Sequence, residues 1–233
     1  MTEEKRMSLV EHLSELRSRI LHSILPVFAI SVIAFTAKIP DMIIVRMKED
    51  LLSGYELHAF TFQEALLLKL KLSIYIGIIL SFPIILYEIW SFLKPGLTVR
   101  ERKLIIYLYP SVVLFLIGVW FAYEIMPLFL LFFIKSTLSI AQPLIGVNSA
   151  LSFILSILLI FGIIFQLPLV VAILTKLGLV NYRFLASKRR YAFVLTMFLG
   201  AFISDPSPFT MLLVSFPMYL LYEISIWISR FLG

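Results

Sequence analysis

The sequence predicts an all-α protein that crosses a membrane six times within a single domain, residues 1–233. Hydrophobic residues make up 61% of the chain and charged residues only 15%, and the mean hydropathy is +1.02. Soluble domains contain roughly 45–50% apolar and about 25% charged residues. A globule of this size cannot hide so much apolar surface from water, so lipid must surround much of the chain. The first nineteen residues are polar and mixed in charge, which makes a cleavable targeting peptide unexpected.

Six apolar stretches account for the predicted spans. A helix needs about 20 residues at ~1.5 Å each to cross a ~30 Å hydrocarbon core. The predicted spans are 20–37, 66–93, 104–123, 151–174, 191–203 and 209–228. The fifth has thirteen residues, which reach only about 20 Å, and the prolines at 206 and 208 stop it from continuing. The fifth and sixth spans would form a short hairpin. Either neighbouring helices shield this hairpin where it stops short of the far surface, or the bilayer is thinner there.

Two longer segments, 39–65 and 124–149, are expected on the outer side of the membrane. Tyr123–Ile134 is apolar but contains Glu124 and Pro127. This pattern predicts an interfacial or re-entrant helix that is separate from the third span, followed by a loop over 140–149.

The distribution of basic residues predicts the orientation of the chain. With six spans, the two termini lie on the same side, together with the segments at 94–103 and 176–190. These regions hold 14 of the 20 Lys and Arg residues. Because cytoplasmic loops of membrane proteins carry the basic excess, both termini are expected in the cytoplasm. The same rule explains the net charge of +6 without nucleic acid.

Several classes of chemistry find no support in the sequence. The chain has no cysteine, which excludes disulfides and thiolate metal sites. It contains no HExxH, GxSxG or P-loop motif and no paired intramembrane aspartates. We therefore expect a protein that is not an enzyme and that needs no cofactor or metal.

Prolines fall within five of the six predicted spans. Each proline removes one backbone hydrogen bond and tends to kink its helix, and neighbouring helices can repair the loss. Kinked spans would give a curved, concave wall, although proline is also simply commoner in membrane helices. The five are Pro26, Pro83, Pro110, Pro168 and Pro217.

The second and sixth spans contain similar short stretches of sequence. The stretch SFPIILYEI at 81–89 resembles SFPMYLLYEI at 215–224, with one insertion. Both helices run inward, so this is not the inverted repeat of secondary transporters. The simpler explanation is that Tyr and Glu suit the cytoplasmic interface.

Gln166 is the polar residue that most needs a partner. It lies about ten residues before Lys176, some 15 Å into the membrane by helix rise. A polar group at that depth must face protein or a water-filled cavity. An interhelical hydrogen bond and a ligand or partner contact both fit. An amide cannot titrate, which argues against a proton relay.

Two acidic residues stand where spans meet the cytoplasm. Glu15 belongs to an amphipathic helix that leads into the first span, and Glu101 follows the turn at Pro95-Gly96 and opens the third. An exposed acid in a first helical turn gains about 0.3–1 kcal/mol from the helix dipole. The residues alone therefore allow either a local structural role or a binding role.

The residues around these acids resemble the TatC family, the receptor subunits of the twin-arginine protein translocase. The pattern HL-x-ELR-x-R at 12–19 resembles the N-terminal signature of that family, and FPIILYEIWSFLKPGLTVRERK at 82–103 resembles its most specific stretch. FGIIFQLP, PMYLLYE and the final SRF extend the resemblance over nearly the whole chain.

The resemblance implies a curved, glove-like fold of six helices with short fifth and sixth helices. It also implies binding of the twin-arginine signal peptides of folded proteins at the cytoplasmic face. The implied partners are TatA- and TatB-type single-span subunits, other copies of the chain and the lipid bilayer, and the implied energy source is the protonmotive force. By position, the signal-peptide-binding residues would be Glu15, Arg17, Glu101 and Arg102.

The chain departs from the family pattern at two places. The family usually has a carboxylate where this chain has Gln166 and a polar residue where it has Met211. These departures leave a charge-dependent role at Gln166 and a partner contact at Met211 open. The competing functional classes are a small-solute or ion transporter, suggested by Gln166 and the kinked spans, and a purely structural scaffold.

Overall fold

The computed structural model describes residues 9–94, 105–139, 142, 144–204 and 207–232. Within these ranges the chain forms nine α-helices and one short pair of parallel strands. In chain order the elements are α1 (Leu9–Thr36), α2 (Ile39–Leu51), β1 (Leu57–His58), α3 (Glu64–Leu93), α4 (Leu108–Leu138), β2 (Ile145–Gly146), α5 (Val147–Ile164), α6 (Leu167–Lys176), α7 (Tyr182–Ser187), α8 (Arg189–Ile203) and α9 (Pro208–Leu232).

The all-α membrane class is confirmed. In the described part of the chain, five helical segments are long and apolar enough to cross a membrane: Glu11–Thr36, Glu64–Leu93, Ile105–Leu138, Val147–Lys176 and Pro208–Leu232. The fifth predicted span corresponds to α8, whose 15 residues reach only about 22 Å. The sixth corresponds to α9, which has 25 residues and is longer than the sequence led us to expect, because it begins at Pro208 and continues through Leu232.

The prediction of a separate helix after the third span is wrong. Helix α4 runs unbroken over 31 residues, with Pro127 inside it. Pro127 removes a single backbone bond, whereas Met126 and Phe129 beside it are completely buried. Burial of these large side chains outweighs one lost hydrogen bond, so the helix continues past the proline.

The fourth span consists of two helices. Helix α5 ends at Ile164 and α6 begins at Leu167. The break lies four residues before Pro168, as expected for a proline ring that clashes with the carbonyl group of the residue at that spacing. Gln166 is the N-cap residue of α6 and therefore lies at the break.

The principal helix contacts are α1 with α3, α4 with α5, α8 with α9 and α6 with α9. Glycines allow close approach in three of these pairs. A Cβ atom on Gly77 would lie 2.6 Å from the Val27 carbonyl oxygen, and one on Gly118 2.6 Å from that of Phe161. A Cβ atom on Gly200 would lie 2.8 Å from the Met211 carbonyl oxygen. Small residues at such crossings are how membrane helices pack without a hydrophobic driving force between them.

The bundle has two distinct ends. We call the end at which α1 begins and α3, α6 and α9 terminate the amino-terminal end. At the opposite end, α2 packs against α1, α3 and α4. There β1 pairs with β2 in parallel, Leu57 opposite Ile145. The main apolar core lies between α3, α4, α5 and α9, around Phe129, Phe161 and Val214.

Candidate functional site

A charged cluster joins α1 to α3 at the amino-terminal end. The Arg19 guanidinium donates a hydrogen bond from Nη1 to Glu88 Oε2 at 2.9 Å. Its Nη2 lies 3.5 Å from Glu15 Oε1, one turn back on the same helix. Two carboxylates thus share one guanidinium, which leaves a formal excess of one negative charge.

Glu15 has an oxygen without a partner. Its Oε2 atom is buried and accepts no hydrogen bond from any described residue, and the side chain as a whole is 19% exposed. An ionised carboxylate has about four acceptor positions, and a buried acceptor left empty costs free energy. Glu15 is therefore held in place through one oxygen, while the acceptor positions of its other oxygen are not filled by any described residue.

The two helices that carry these side chains are placed by their sequences. Glu15 and Arg19 are four residues apart, the spacing at which an acid followed by a base pairs well on a helix. Gly77 lets α3 approach the backbone of α1 at Val27, so the acidic end of α3 lies within reach of Arg19. The His12 and Phe92 rings stack at 4.4 Å between centroids, which continues the α1–α3 contact to the last turn of α3.

Of the other three residues predicted to bind the signal peptide, the structure describes only Arg17. Arg17 is exposed and forms no hydrogen bond or ion pair with the described residues, so the structure does not bring it to Glu15. Glu101 and Arg102 lie outside the described residues. Helix α3 ends at Leu93, eight positions before Glu101.

Gln166 is engaged inside the protein. Its Oε1 accepts a hydrogen bond from Ser111 Oγ at 2.5 Å, and its Nε2 donates to the Ser111 carbonyl oxygen at 3.1 Å and to that of Gly162 at 3.4 Å. Of the alternatives that the sequence left open, the geometry favours the interhelical hydrogen bond. The amide fastens the break between α5 and α6 to the first turns of α4.

Sequence reasoning missed Arg19 and Glu88 as parts of the cluster. The similarity between 81–89 and 215–224 was the signal that could have found Glu88. The residue equivalent to Glu88 in the second stretch is Glu223 on α9, which is bound by Arg189 of α8 through Nε at 2.8 Å and Nη2 at 3.0 Å. In both stretches, the glutamate binds an arginine of the neighbouring antiparallel helix at the amino-terminal end. The sequence similarity therefore marks a repeated structural contact.

Fold and site together define a multi-pass α-helical membrane protein with an acidic cluster at the amino-terminal end of the bundle. The described residues contain no group of three His, Asp or Glu side chains placed to hold a metal ion.

The chain belongs to the TatC family. Residues 11–217 match the family model described as Sec-independent protein translocase protein (TatC). The chain is 37% identical over 230 residues to the Sec-independent protein translocase protein TatCy of Bacillus subtilis, covering 97% of this chain and 89% of that protein. It is 32% identical to the TatC protein of Escherichia coli, covering 99% and 91% of the two chains.

Solved structures agree with the sequence relatives. A crystal structure described as the twin arginine translocase receptor TatC superposes with a TM-score of 0.81 at 36% identity, covering 94% of this chain and 98% of the other. A second structure of that receptor, in the detergent DDM, gives a TM-score of 0.83 at the same identity and covers 100% of that chain.

Proposed function

We propose that this protein is the receptor subunit of a twin-arginine protein translocase, and that it binds the paired arginines of signal peptides at its amino-terminal end. The observation that carries the proposal is Glu15, a fixed carboxylate with one buried oxygen that no described residue fills. Membership of a family whose solved members are described as twin arginine translocase receptors supports it.

The chemistry of the cluster suits a guanidinium ligand. A planar guanidinium pairs with a carboxylate through two parallel hydrogen bonds, whereas a lysine ammonium acts as a point charge. Arg19 already occupies one oxygen of Glu15 through a long contact, so a visiting arginine meets a carboxylate that is oriented but not saturated. Glu101 is proposed as the second carboxylate, and Arg17 and Arg102 are proposed as further signal-peptide-binding residues. Because such contacts are partly exposed, salt should weaken them.

The remaining parts of the proposal concern the setting. The amino-terminal end carries the basic excess of the chain, so we place it and both termini in the cytoplasm of a prokaryotic cell and the spans in its inner membrane. The proposed partners are twin-arginine signal peptides of folded cargo, TatA- and TatB-type single-span subunits and further copies of the chain, with the protonmotive force as the energy source.

Peptide crosslinking tests the proposal. The purified protein in lipid nanodiscs is mixed with a photoreactive peptide that carries either Arg-Arg or Lys-Lys. We expect strong crosslinking of the Arg-Arg peptide only, and its loss when Glu15→Ala is combined with Glu101→Ala. The matched control is Glu49→Ala, an exposed acid on α2 at the opposite end. Undiminished crosslinking in the double variant would overturn the assignment of the two acids, and equal crosslinking of both peptides would overturn twin-arginine recognition.

The purified protein, reconstituted in liposomes, distinguishes a receptor from the competing hypothesis of a transporter. A solute or ion transporter should produce flux in liposomes that contain this chain alone, whereas the receptor should produce none. The structure lends the transporter little support, because the amide at mid-membrane that suggested it is bound to Ser111 and Gly162.

A further inference from the structure

An apolar groove runs along the bundle between α4, α6 and α9. Its volume is about 480 Å³, and almost all of its surface is apolar. One wall is a stripe on α9 with the spacing of a single helix face: Leu221, Ile224, Ile228 and Leu232. Ile117 on α4 and Ile224 remain 42% and 48% exposed, so the groove opens sideways to the membrane.

The groove has the depth of one leaflet. It extends from Tyr107, the residue before α4, to Ile117 on α4, ten positions that span about 15 Å. That is half of a ~30 Å hydrocarbon core. Its inner limit is the break before Pro168, where the polar side chain of Gln166 is bonded to Ser111 and Gly162. The floor therefore offers no polar group to an occupant.

The mouth of the groove carries a cation. Lys176 follows Ala172 of the groove wall by one turn of α6 and is exposed. Its Nζ donates one hydrogen bond, to the Leu232 carbonyl oxygen at 3.0 Å, which is its only hydrogen bond to a described residue. An ammonium has three donors, so two remain for a ligand. Tyr107, the residue that precedes α4, also lines the groove, and tyrosine is a residue type suited to the membrane interface.

We propose that this groove is a binding site for an anionic phospholipid, with one acyl chain between α4, α6 and α9 and the phosphate at Lys176. Basic residues at the mouth of a cleft between membrane helices are typical of anionic headgroup sites. The charge and the depth of the groove favour a lipid as the occupant. An exposed ammonium lies one turn beyond the groove wall, and the groove is about one leaflet deep.

The first experiment compares two lipids. The full-length protein in detergent is titrated with phosphatidylglycerol or phosphatidylcholine of the same acyl chains, and retained lipid is measured by native mass spectrometry. We expect one tightly retained phosphatidylglycerol, with about fivefold weaker retention of phosphatidylcholine. Lys176→Gln should abolish that preference. The matched control, Lys188→Gln, removes an exposed lysine near the same end that lies over the Phe184 and Tyr191 rings instead of lining the groove, and should keep the preference.

A second set of variants tests the acyl-chain site itself. Ala172→Phe should fill the groove and abolish retention of both lipids. Ile224→Trp narrows the groove from its exposed side and should do the same, which keeps the test valid if Ala172→Phe does not fold. The proposal would be overturned if either of these variants folded and retained lipid as before. It would also be overturned if the unmodified protein retained the two lipids equally.

Crosslinking identifies the occupant directly. A photoreactive amino acid at Ile228, in membranes that contain phosphatidylglycerol, should yield an adduct with the mass of one phospholipid. An adduct with a protein segment and none with lipid would overturn the proposal in favour of a helix. The groove lies apart from Glu15, so loss of lipid binding and loss of peptide binding are separate outcomes.

Discussion

Arg19 bonds Glu88 and Glu15 unequally: 2.9 Å to the Glu88 carboxylate on α3 and 3.5 Å to that of Glu15 on its own helix. A distance of 3.5 Å is near the limit for a hydrogen bond, so Glu88 is the principal partner of Arg19. Glu88 thereby keeps this arginine from saturating Glu15. Glu88, which was not predicted from the sequence to belong to the site, therefore controls the availability of Glu15, which was.

We predict that Glu88→Gln weakens binding of a twin-arginine peptide about fivefold, although Glu88 need not touch the peptide. With a neutral partner on α3, the Arg19 guanidinium should turn towards Glu15 and compete with the ligand. A partly exposed charge pair contributes about 1 kcal/mol, which corresponds to roughly a fivefold change in affinity. Fluorescence anisotropy with the protein in nanodiscs at low ionic strength measures the effect.

The similar stretch at 215–224 supplies the control for this prediction. Glu223→Gln removes the equivalent glutamate from α9, where it binds Arg189 at 2.8 Å. This variant should leave peptide affinity unchanged, since Arg189 lies on α8 and is not paired with Glu15. Equal losses in the two variants would mean that the effect is general destabilisation and not competition for Glu15.

The α1–α3 crossing should be sensitive to a single methyl group. A Cβ atom at Gly77 would clash with Ser31 Oγ and lie 2.6 Å from the Val27 carbonyl oxygen. Overpacking of this kind costs about 1–3 kcal/mol. For a chain of this length, we expect Gly77→Ala to lower the melting temperature in detergent by on the order of 5 °C.

Two companion variants test the cause. Ser31→Ala removes one of the two clashing atoms and should restore part of the melting temperature lost in Gly77→Ala. Leu80→Ala, on the same helix but at a side chain 59% exposed to lipid, should change the melting temperature little. A loss in Leu80→Ala as large as that in Gly77→Ala would contradict the packing explanation.

The sequence predicted those parts of the fold that depend on local composition. Apolar length located the spans, and the spacing of Pro206 and Pro208 indicated that α8 is short. It did not predict that α4 continues through Glu124 and Pro127, because the burial that offsets the proline comes from distant elements. Local signals cannot reveal which helix covers a given face.

The site was predictable only in part for the same reason. Glu15 could be singled out from its motif, but its relation to Glu88 depends on the register of two helices whose contacting residues are 69 positions apart. Gln166 was recognised as a polar group that needs a partner. The identity of that partner, Ser111, required the relative placement of α4 and α6. The roles proposed for Glu101 and Arg102, outside the described residues, stay predictions.

The orientation of the chain can be tested directly because it contains no cysteine. Ser187 lies at the end of α7, near the amino-terminal end, and Ser53 follows α2 at the opposite end, and both are exposed. In intact cells, a membrane-impermeant maleimide should label the S53C variant and not the S187C variant, and lysis should expose both. Labelling of S187C alone in intact cells would reverse the proposed orientation.

The Gln166–Ser111 pair should show a measurable coupling energy. Gln166 Oε1 accepts from Ser111 Oγ at 2.5 Å, while the Gln166 amide donors use backbone carbonyl groups that remain when the serine side chain is removed. Ser111→Ala therefore deletes one bond, and Gln166→Leu deletes all three. Interhelical hydrogen bonds in membranes average about 0.6 kcal/mol, with a maximum of about 1.7.

In a double-mutant cycle followed by unfolding in detergent, we expect the combined variant to lose about 0.6–1.7 kcal/mol less than the sum of the single losses. Gln166→Leu with Thr175→Ala is the control, because Thr175 bonds Ser229 at the other end of α6 and distant sites should add. Additive losses for Gln166 and Ser111 would mean that the amide is not engaged by this serine in the membrane. Gln166 would then be available to a partner helix, which is the alternative that the sequence left open.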